Sequence, residues 1–131
     1  MIQITETKTL KLEEREFLKR ALEELTIGEV LEQVEDNQGT LFLIKTDKLV
    51  GIAYFQVFGE ILNLRCLSGV DTKEWAEEFQ EFVIELMRKY RIPHFVIYSR
   101  KGWNRMFPKL KFEGAIYSFH LDSENQASLD A

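Results

Sequence analysis

The chain has 131 residues, 45% of them hydrophobic and 30% charged, which suits one globular domain with its own core and excludes a disordered chain. Its one cysteine, Cys66, and two well-separated histidines, His94 and His120, exclude a disulfide framework, a CxxC motif and a zinc signature. The net charge of -5 at pH 7 opposes non-specific nucleic-acid affinity, and no apolar run approaches the ~20 residues of a membrane helix.

The opening Met1-Ile-Gln-Ile-Thr-Glu lacks the basic and apolar regions of a signal peptide, so a cytoplasmic protein is expected. Residues 2–5 alternate apolar and polar and predict a short strand. Leu10, Leu12, Phe17, Leu18, Ala21, Leu22 and Leu25 mark one face of an amphipathic helix. Thr26 with Glu29 has the form of a capping box, which predicts a second helix to about residue 35 that buries Ile27, Val30, Leu31 and Val34. Asp36-Asn37-Gln38-Gly39 ends it.

Three apolar runs follow, residues 40–46, 49–58 and 61–67, joined by the short turns Asp47-Lys48 and Gly59-Glu60. Turns this short predict an antiparallel meander. Gly51 inside the second run marks a place for a bulge. Asp71 with Glu74 reads as an N-terminal cap for a long helix striped by Trp75, Ala76, Phe79, Phe82, Val83, Leu86, Met87 and Tyr90, which stops before Pro93. Residues 94–99 predict a strand, 103–110 a short helix and 115–121 a final strand. The strands on either side of the long helix should run parallel. Residues 122–131 read as a disordered acidic tail after a domain spanning 1–121.

Charge is unevenly placed. Residues 86–112 contain no Asp or Glu but eight cations: Arg88, Lys89, Arg91, Arg100, Lys101, Arg105, Lys109 and Lys111. The remainder holds 9 basic against 22 acidic residues, so an acidic body carries one basic region suited to an anionic ligand or partner. The alternative is a solvated face that balances acidic helices.

The order of strand, two helices, three-strand meander, long helix, strand, short helix and strand resembles the GNAT (N-acetyltransferase) superfamily. The segment Ile97-Tyr-Ser-Arg-Lys-Gly-Trp103-Asn-Arg-Met-Phe-Pro-Lys-Leu-Lys-Phe-Glu-Gly114 is similar to the "GRxGWxRxLxxLGFE" stretch of short GNAT-like proteins of tailed bacteriophages, through Arg100, Gly102, Trp103, Arg105, Leu110, Phe112 and Glu113. The resemblance implies an α/β (α+β) domain whose mixed sheet is an antiparallel meander followed by a β-α-β-α-β half, with two strands splayed to form a cleft. It implies acetyl-CoA as cofactor and the host cytoplasm or the virion as location. It also implies a Q/R-x-x-G-x-G/A loop that holds a pyrophosphate at the start of the long helix. Gly69, Val70, Asp71 and Thr72 occupy that place, with one glycine and no arginine. Arg100, Lys101 and Arg105 would flank the cofactor's phosphates. The general-acid tyrosine of the family's "YxxLGF" setting corresponds to Phe107, which cannot donate a proton. Tyr98 is a candidate substitute acid beside the favoured reading of a hydrogen-bonded core tyrosine.

Asn63, Arg65 and Trp103 are the substrate-cleft candidates. Each also has a plain packing or solvation reading, and Cys66, alternating away from Arg65, reads as a buried small hydrophobe. Three functions follow: a binding or virion-associated domain with a degraded acetyl-CoA motif, a working N-acetyltransferase acting on an amine, and a nucleic-acid-binding accessory, which the net acidity disfavours.

Overall fold

The structure is a computed structural model that describes residues 2–22, 25–98, 111–113 and 116–120; Tyr98 and the last two segments are described by their backbone. Strand β1 (Gln3–Thr7) leads to helices α1 (Leu12–Ala21) and α2 (Ile27–Glu35), then to β2 (Thr40–Lys45), β3 (Leu49–Phe58) and β4 (Ile61–Gly69). Helix α3 (Thr72–Tyr90), β5 (His94–Tyr98), β6 (Lys111–Glu113) and β7 (Ile116–His120) complete the order. These strands form one sheet in the order β1-β2-β3-β4-β5-β7-β6. All neighbours are antiparallel except β4 and β5, which pair in parallel, as the strand–helix–strand order predicts.

Two helix starts are tied down by side chains, and the start of α2 is the one that the sequence predicts. Thr26 Oγ1 accepts from the Glu29 N–H at 3.1 Å while Glu29 Oε1 accepts from the Thr26 N–H at 3.1 Å, the reciprocal box that the sequence predicts. Glu14 Oε1 accepts from the Lys11 N–H at 2.7 Å and ties down the start of α1. That helix is shorter than its apolar pattern, because the backbone turns extended at Leu22. Leu12, expected on the buried face, opens the helix and is exposed. Strand β6 has no counterpart in the sequence reading.

The sheet buries two separate clusters. On one side α3 lays Trp75, Phe79, Val83, Ile84 and Met87 against Phe42, Ile44, Phe55, Leu62, Leu64, Phe95 and Ile97. Edge-on ring pairs knit this side together, Phe42 with Phe82 at 5.0 Å and Trp75 with Phe79 at 5.8 Å. On the other side α1 and α2 lay Phe17, Leu18, Val30 and Val34 against Leu41, Leu43, Ile52, Tyr54 and Cys66.

Two register slips shape the middle strands. Ile44 faces Gly51 and Lys45 faces Leu49, so the extra residue is Val50, beside the glycine where a bulge is expected. Tyr54 faces Cys66 and Phe55 faces Leu64, so Arg65 is extra on β4. This second bulge corrects the simple alternation. Leu62 and Leu64 point to α3, so Asn63 points to the α1/α2 side; after the bulge Cys66 points to that side as well. Cys66 is buried among apolar residues, as expected of a small hydrophobe.

Candidate functional site

The candidate site lies where the pairing of β4 with β5 ends. The two strands pair from Ile61 with His94 to Leu64 with Ile97, and then pairing stops. Strand β4 runs on to Gly69, bonded only to β3 among the described residues. The Arg65 bulge sits at the fork, where an extra residue adds twist and turns one strand away from its neighbour. The end of this pairing, at the C-terminal ends of both strands, is the place where the splayed cleft is expected.

At the mouth β4 passes into α3 through only Val70 and Asp71. The Val70 N–H donates to the Val50 carbonyl at 2.8 Å, and the Val70 carbonyl accepts the Trp75 indole N–H at 2.9 Å. Trp75 is 1% exposed and lies directly under the turn. A Cβ on Gly69 would meet Trp75 Cζ2 at 2.5 Å and the Val50 carbonyl oxygen at 2.9 Å. Gly69 thus lies inside the strand and serves the indole, whereas the sequence places it in a phosphate-binding loop.

The expected side-chain cap at Asp71 is not formed. Asp71 adopts the left-handed conformation, φ 54° and ψ 37°, and its side chain makes no capping hydrogen bond. Its carbonyl accepts from the Glu74 N–H at 2.9 Å. A residue held in that conformation carries its side chain away from the N2 and N3 amides that an extended cap residue would reach. Of the carboxylates that follow, Glu74 lies in the first turn, and Glu78 Oε2 accepts from the Ile2 N–H at 3.1 Å.

Within the paired part of β4, on the α1/α2 side, Asn63 is 2% exposed and its Oδ1 has no hydrogen-bond partner. It lies opposite Gln56 on β3 and Val96 on β5. Beside it runs a polar network that the sequence reading missed. The Tyr54 hydroxyl donates to Gln33 Oε1 at 2.5 Å, and Gln56 Nε2 donates to the same oxygen at 3.2 Å and to the Gln38 carbonyl at 3.4 Å. Burial pushes the Tyr54 pKa up to about 12, so the phenol stays protonated. Arg65 acts on it electrostatically in the opposite direction. Gln56 inside an apolar run of β3 was the available signal.

The basic region divides. Arg88, Lys89 and Arg91 close α3 at the end where His94 N–H donates to the Glu60 carbonyl at 3.3 Å, the end away from the cleft. With 19 residues at ~1.5 Å each, α3 separates them from the cleft mouth by most of its ~28 Å length. A single patch of residues 88–111 at the cleft mouth is therefore ruled out for these three. Arg88 Nη1 also pairs with Glu85 Oε1 at 3.1 Å. Arg100, Lys101, Trp103, Arg105, Phe107, Lys109 and the acidic tail lie outside the described residues, as does the Tyr98 side chain.

Among the described residues no helix is long and apolar enough to cross a membrane, and no three His, Cys, Asp or Glu converge as a metal site. No protein-family model matches the chain, and no curated protein matches it in sequence. Solved structures do. A Bacillus subtilis acetyltransferase in complex with CoA superposes with a TM-score of 0.71 at 14% identity, covering 92% of this chain and 99% of that one. A probable acetyltransferase from Staphylococcus epidermidis gives a TM-score of 0.71 at 12% identity over 92% and 99% of the two chains. The ribosomal-protein-S18-alanine N-acetyltransferase of Escherichia coli gives 0.64 at 11% identity over 92% and 94%. The chain is a single α/β domain with the fold of the GNAT acetyltransferases.

Proposed function

We propose that this GNAT-fold domain acts by binding, as an accessory or virion-associated protein of the kind tailed bacteriophages encode, with a degraded grip on acetyl-CoA. The observation that carries this reading is the two-residue turn between β4 and α3. A pyrophosphate held at a helix start needs a run of backbone N–H groups facing outward and room for close approach. Here the Val70 N–H is bonded inward, the lone glycine makes space for Trp75, and Asp71 and Glu74 add negative charge at the helix start. The residues present do not fit the diphosphate. The similarity of residues 97–114 to phage proteins supports the origin, and with it a place in the host cytoplasm or the virion. Arg100, Lys101 and Arg105, which follow β5 in the sequence, remain the cations to test for an anionic partner.

One observation favours the second reading, an acetyl-CoA-dependent N-acetyltransferase acting on an amine. Because the Asp71 side chain does not cap α3, that carboxylate leaves the first helical amides to other acceptors. The B. subtilis neighbour, like the paia N-acetyltransferase of Thermoplasma acidophilum, is a CoA complex. A melting curve with millimolar acetyl-CoA separates the two. A ligand at ~100 times its dissociation constant stabilises a protein by ~2.7 kcal/mol. The expected result is no shift; a clear rise in Tm overturns the degraded-grip reading and establishes a cofactor site.

A further inference from the structure

Six large apolar side chains are exposed among the described residues, and four of them gather at one end of the sheet: Val57, Phe58, Ile61 and Tyr90. Residues 57–61 are all exposed and form the tip of the β3–β4 hairpin, with Phe58 opposite Ile61 across the ladder. Strand β2 begins opposite Phe55, so the tip runs on past it by ~10 Å, three residues at ~3.3 Å each. Tyr90 follows Met87 by three residues on the sheet-facing stripe of α3, yet it is 60% exposed. Single apolar residues on a surface are ordinary, whereas a cluster marks a contact. The two flanks of this end differ in charge. On the α3 face the helix closes with Lys89 and Arg91, and the His94 N–H, three residues on, donates to the Glu60 carbonyl in the hairpin turn. On the opposite face α2 closes with Glu35 and Asp36, and the Gln38 carbonyl accepts from Gln56 Nε2 on β3. All four charged side chains are exposed.

An anionic surface would be repelled by Glu35, Asp36, Glu60 and the net charge of -5, and a cationic one by the α3 flank. The end is complementary to itself. A two-fold axis lying in the plane of the sheet, across the strands, turns a second copy end to end and exchanges its faces. The basic α3 terminus of each copy then lies over the acidic α2 terminus of the other, with the apolar tips between them. We propose that the β3–β4 hairpin end is a contact between two copies of this chain in this arrangement. Val57, Phe58, Ile61 and Tyr90 supply its apolar centre, and the two charged flanks fix its orientation. The contact stands apart from the acetyl-CoA question, since it lies at the end of the sheet away from the β4–α3 turn.

So small a contact belongs with weak, exchanging interfaces, so its dissociation constant should be on the order of 10–100 µM. Sedimentation equilibrium of the full chain on both sides of that range is the test. The expected result is a monomer–dimer equilibrium that weakens as salt is added. Phe58→Asp, at a half-exposed position, should weaken the dimer at least ~tenfold. Lys89→Glu with Arg91→Glu reverses the basic flank, and Glu35→Lys with Asp36→Lys reverses the acidic one. Each double variant alone should be monomeric, because like charges then meet at both flanks. Mixed together they should dimerise, because each flank again meets its opposite. A change that merely disturbed folding would not be rescued by mixing. Should a double variant fail to fold, Phe58→Asp and the salt dependence decide. A monomer at every concentration overturns the proposal, and its cosedimentation with vesicles of phosphatidylcholine and phosphatidylserine would give the tip to a lipid surface instead. A dimer indifferent to Phe58→Asp would place the contact elsewhere and overturn it too.

Discussion

Against α3 the sheet presents Phe42, Phe55, Leu64, Phe95 and Ile97, and the helix answers with Trp75, Phe79 and Met87. Its buried polar atoms are few, and the Trp75 N–H is satisfied locally by the Val70 carbonyl. Against α1 and α2 the same strands present Tyr54, Gln56 and Asn63 among their apolar neighbours. The first side is a close-packed apolar core that fixes the crossover and so the parallel pairing of β4 and β5. The second side accepts the energetic cost of buried polar groups, and among the described residues Asn63 Oδ1 is left without a partner there. Apolar close packing and buried polar bonding are thus divided between the two faces of one sheet.

The largest effect should come from the α3 side. Trp75→Ala removes the side chain that fills the space under the β4–α3 turn and leaves the Val70 carbonyl without its donor. Aromatic-to-alanine changes at fully buried sites cost ~3–5 kcal/mol, which urea denaturation would register as a large drop in midpoint. A loss under ~1 kcal/mol would mean that this face is not what holds the turn.

The polar side should respond to alkali. With the Tyr54 pKa raised from 10.0 to about 12, the folded state holds a proton that the unfolded chain releases sooner. The contribution is fully present below pH 10 and is lost as pH rises through about 12. Tyr54→Phe should cost ~0.5–1.5 kcal/mol near neutrality, the worth of one buried hydrogen bond. It should also flatten that alkaline decline, as melting at a series of pH values would reveal. A decline of the same steepness in the variant would assign it elsewhere.

The division between faces was only partly legible in the sequence. Helix stripes, the Thr26–Glu29 box and the strand–helix–strand order rest on local spacing, so the element order from β1 to β5 and the parallel pair could be read directly. The fork was legible through the fold resemblance. The bulge at Arg65 was not, because it depends on which residues of β3 and β4 meet across the ladder. Without it Cys66 falls on the wrong face. Gly69 stands where the family resemblance places a phosphate loop, but its partner is Trp75, six residues on; only three dimensions bring them together. Charge misled in the same way, since sequence position alone did not show that Arg88, Lys89 and Arg91 close α3 at the end away from the β4–α3 turn. Strand β6 is three residues long, Lys-Phe-Glu, and owes its existence to pairing with β7.

The smallest effect distinguishes the two helix starts. Helix α2, on the polar side, begins with a formed box at Thr26, and Thr26→Ala should cost ~0.5–2 kcal/mol. Helix α3 begins at Asp71, whose side chain forms no such bond and whose φ of 54° lies in the left-handed region. Alanine there keeps a Cβ in a conformation that costs ~1–2 kcal/mol in L-residues and that Asp tolerates better through local hydrogen bonding. Glycine adopts it without that penalty and also removes a carboxylate. Asp71→Ala should therefore lower Tm slightly, while Asp71→Gly should stay within ~0.5 kcal/mol of the native protein. The αL geometry predicts this split between alanine and glycine. Were both substitutions to cost as much as Thr26→Ala, the Asp71 side chain would be capping α3 in solution. The helix start would then be closed to any anion, which would also remove the observation favouring a cofactor site.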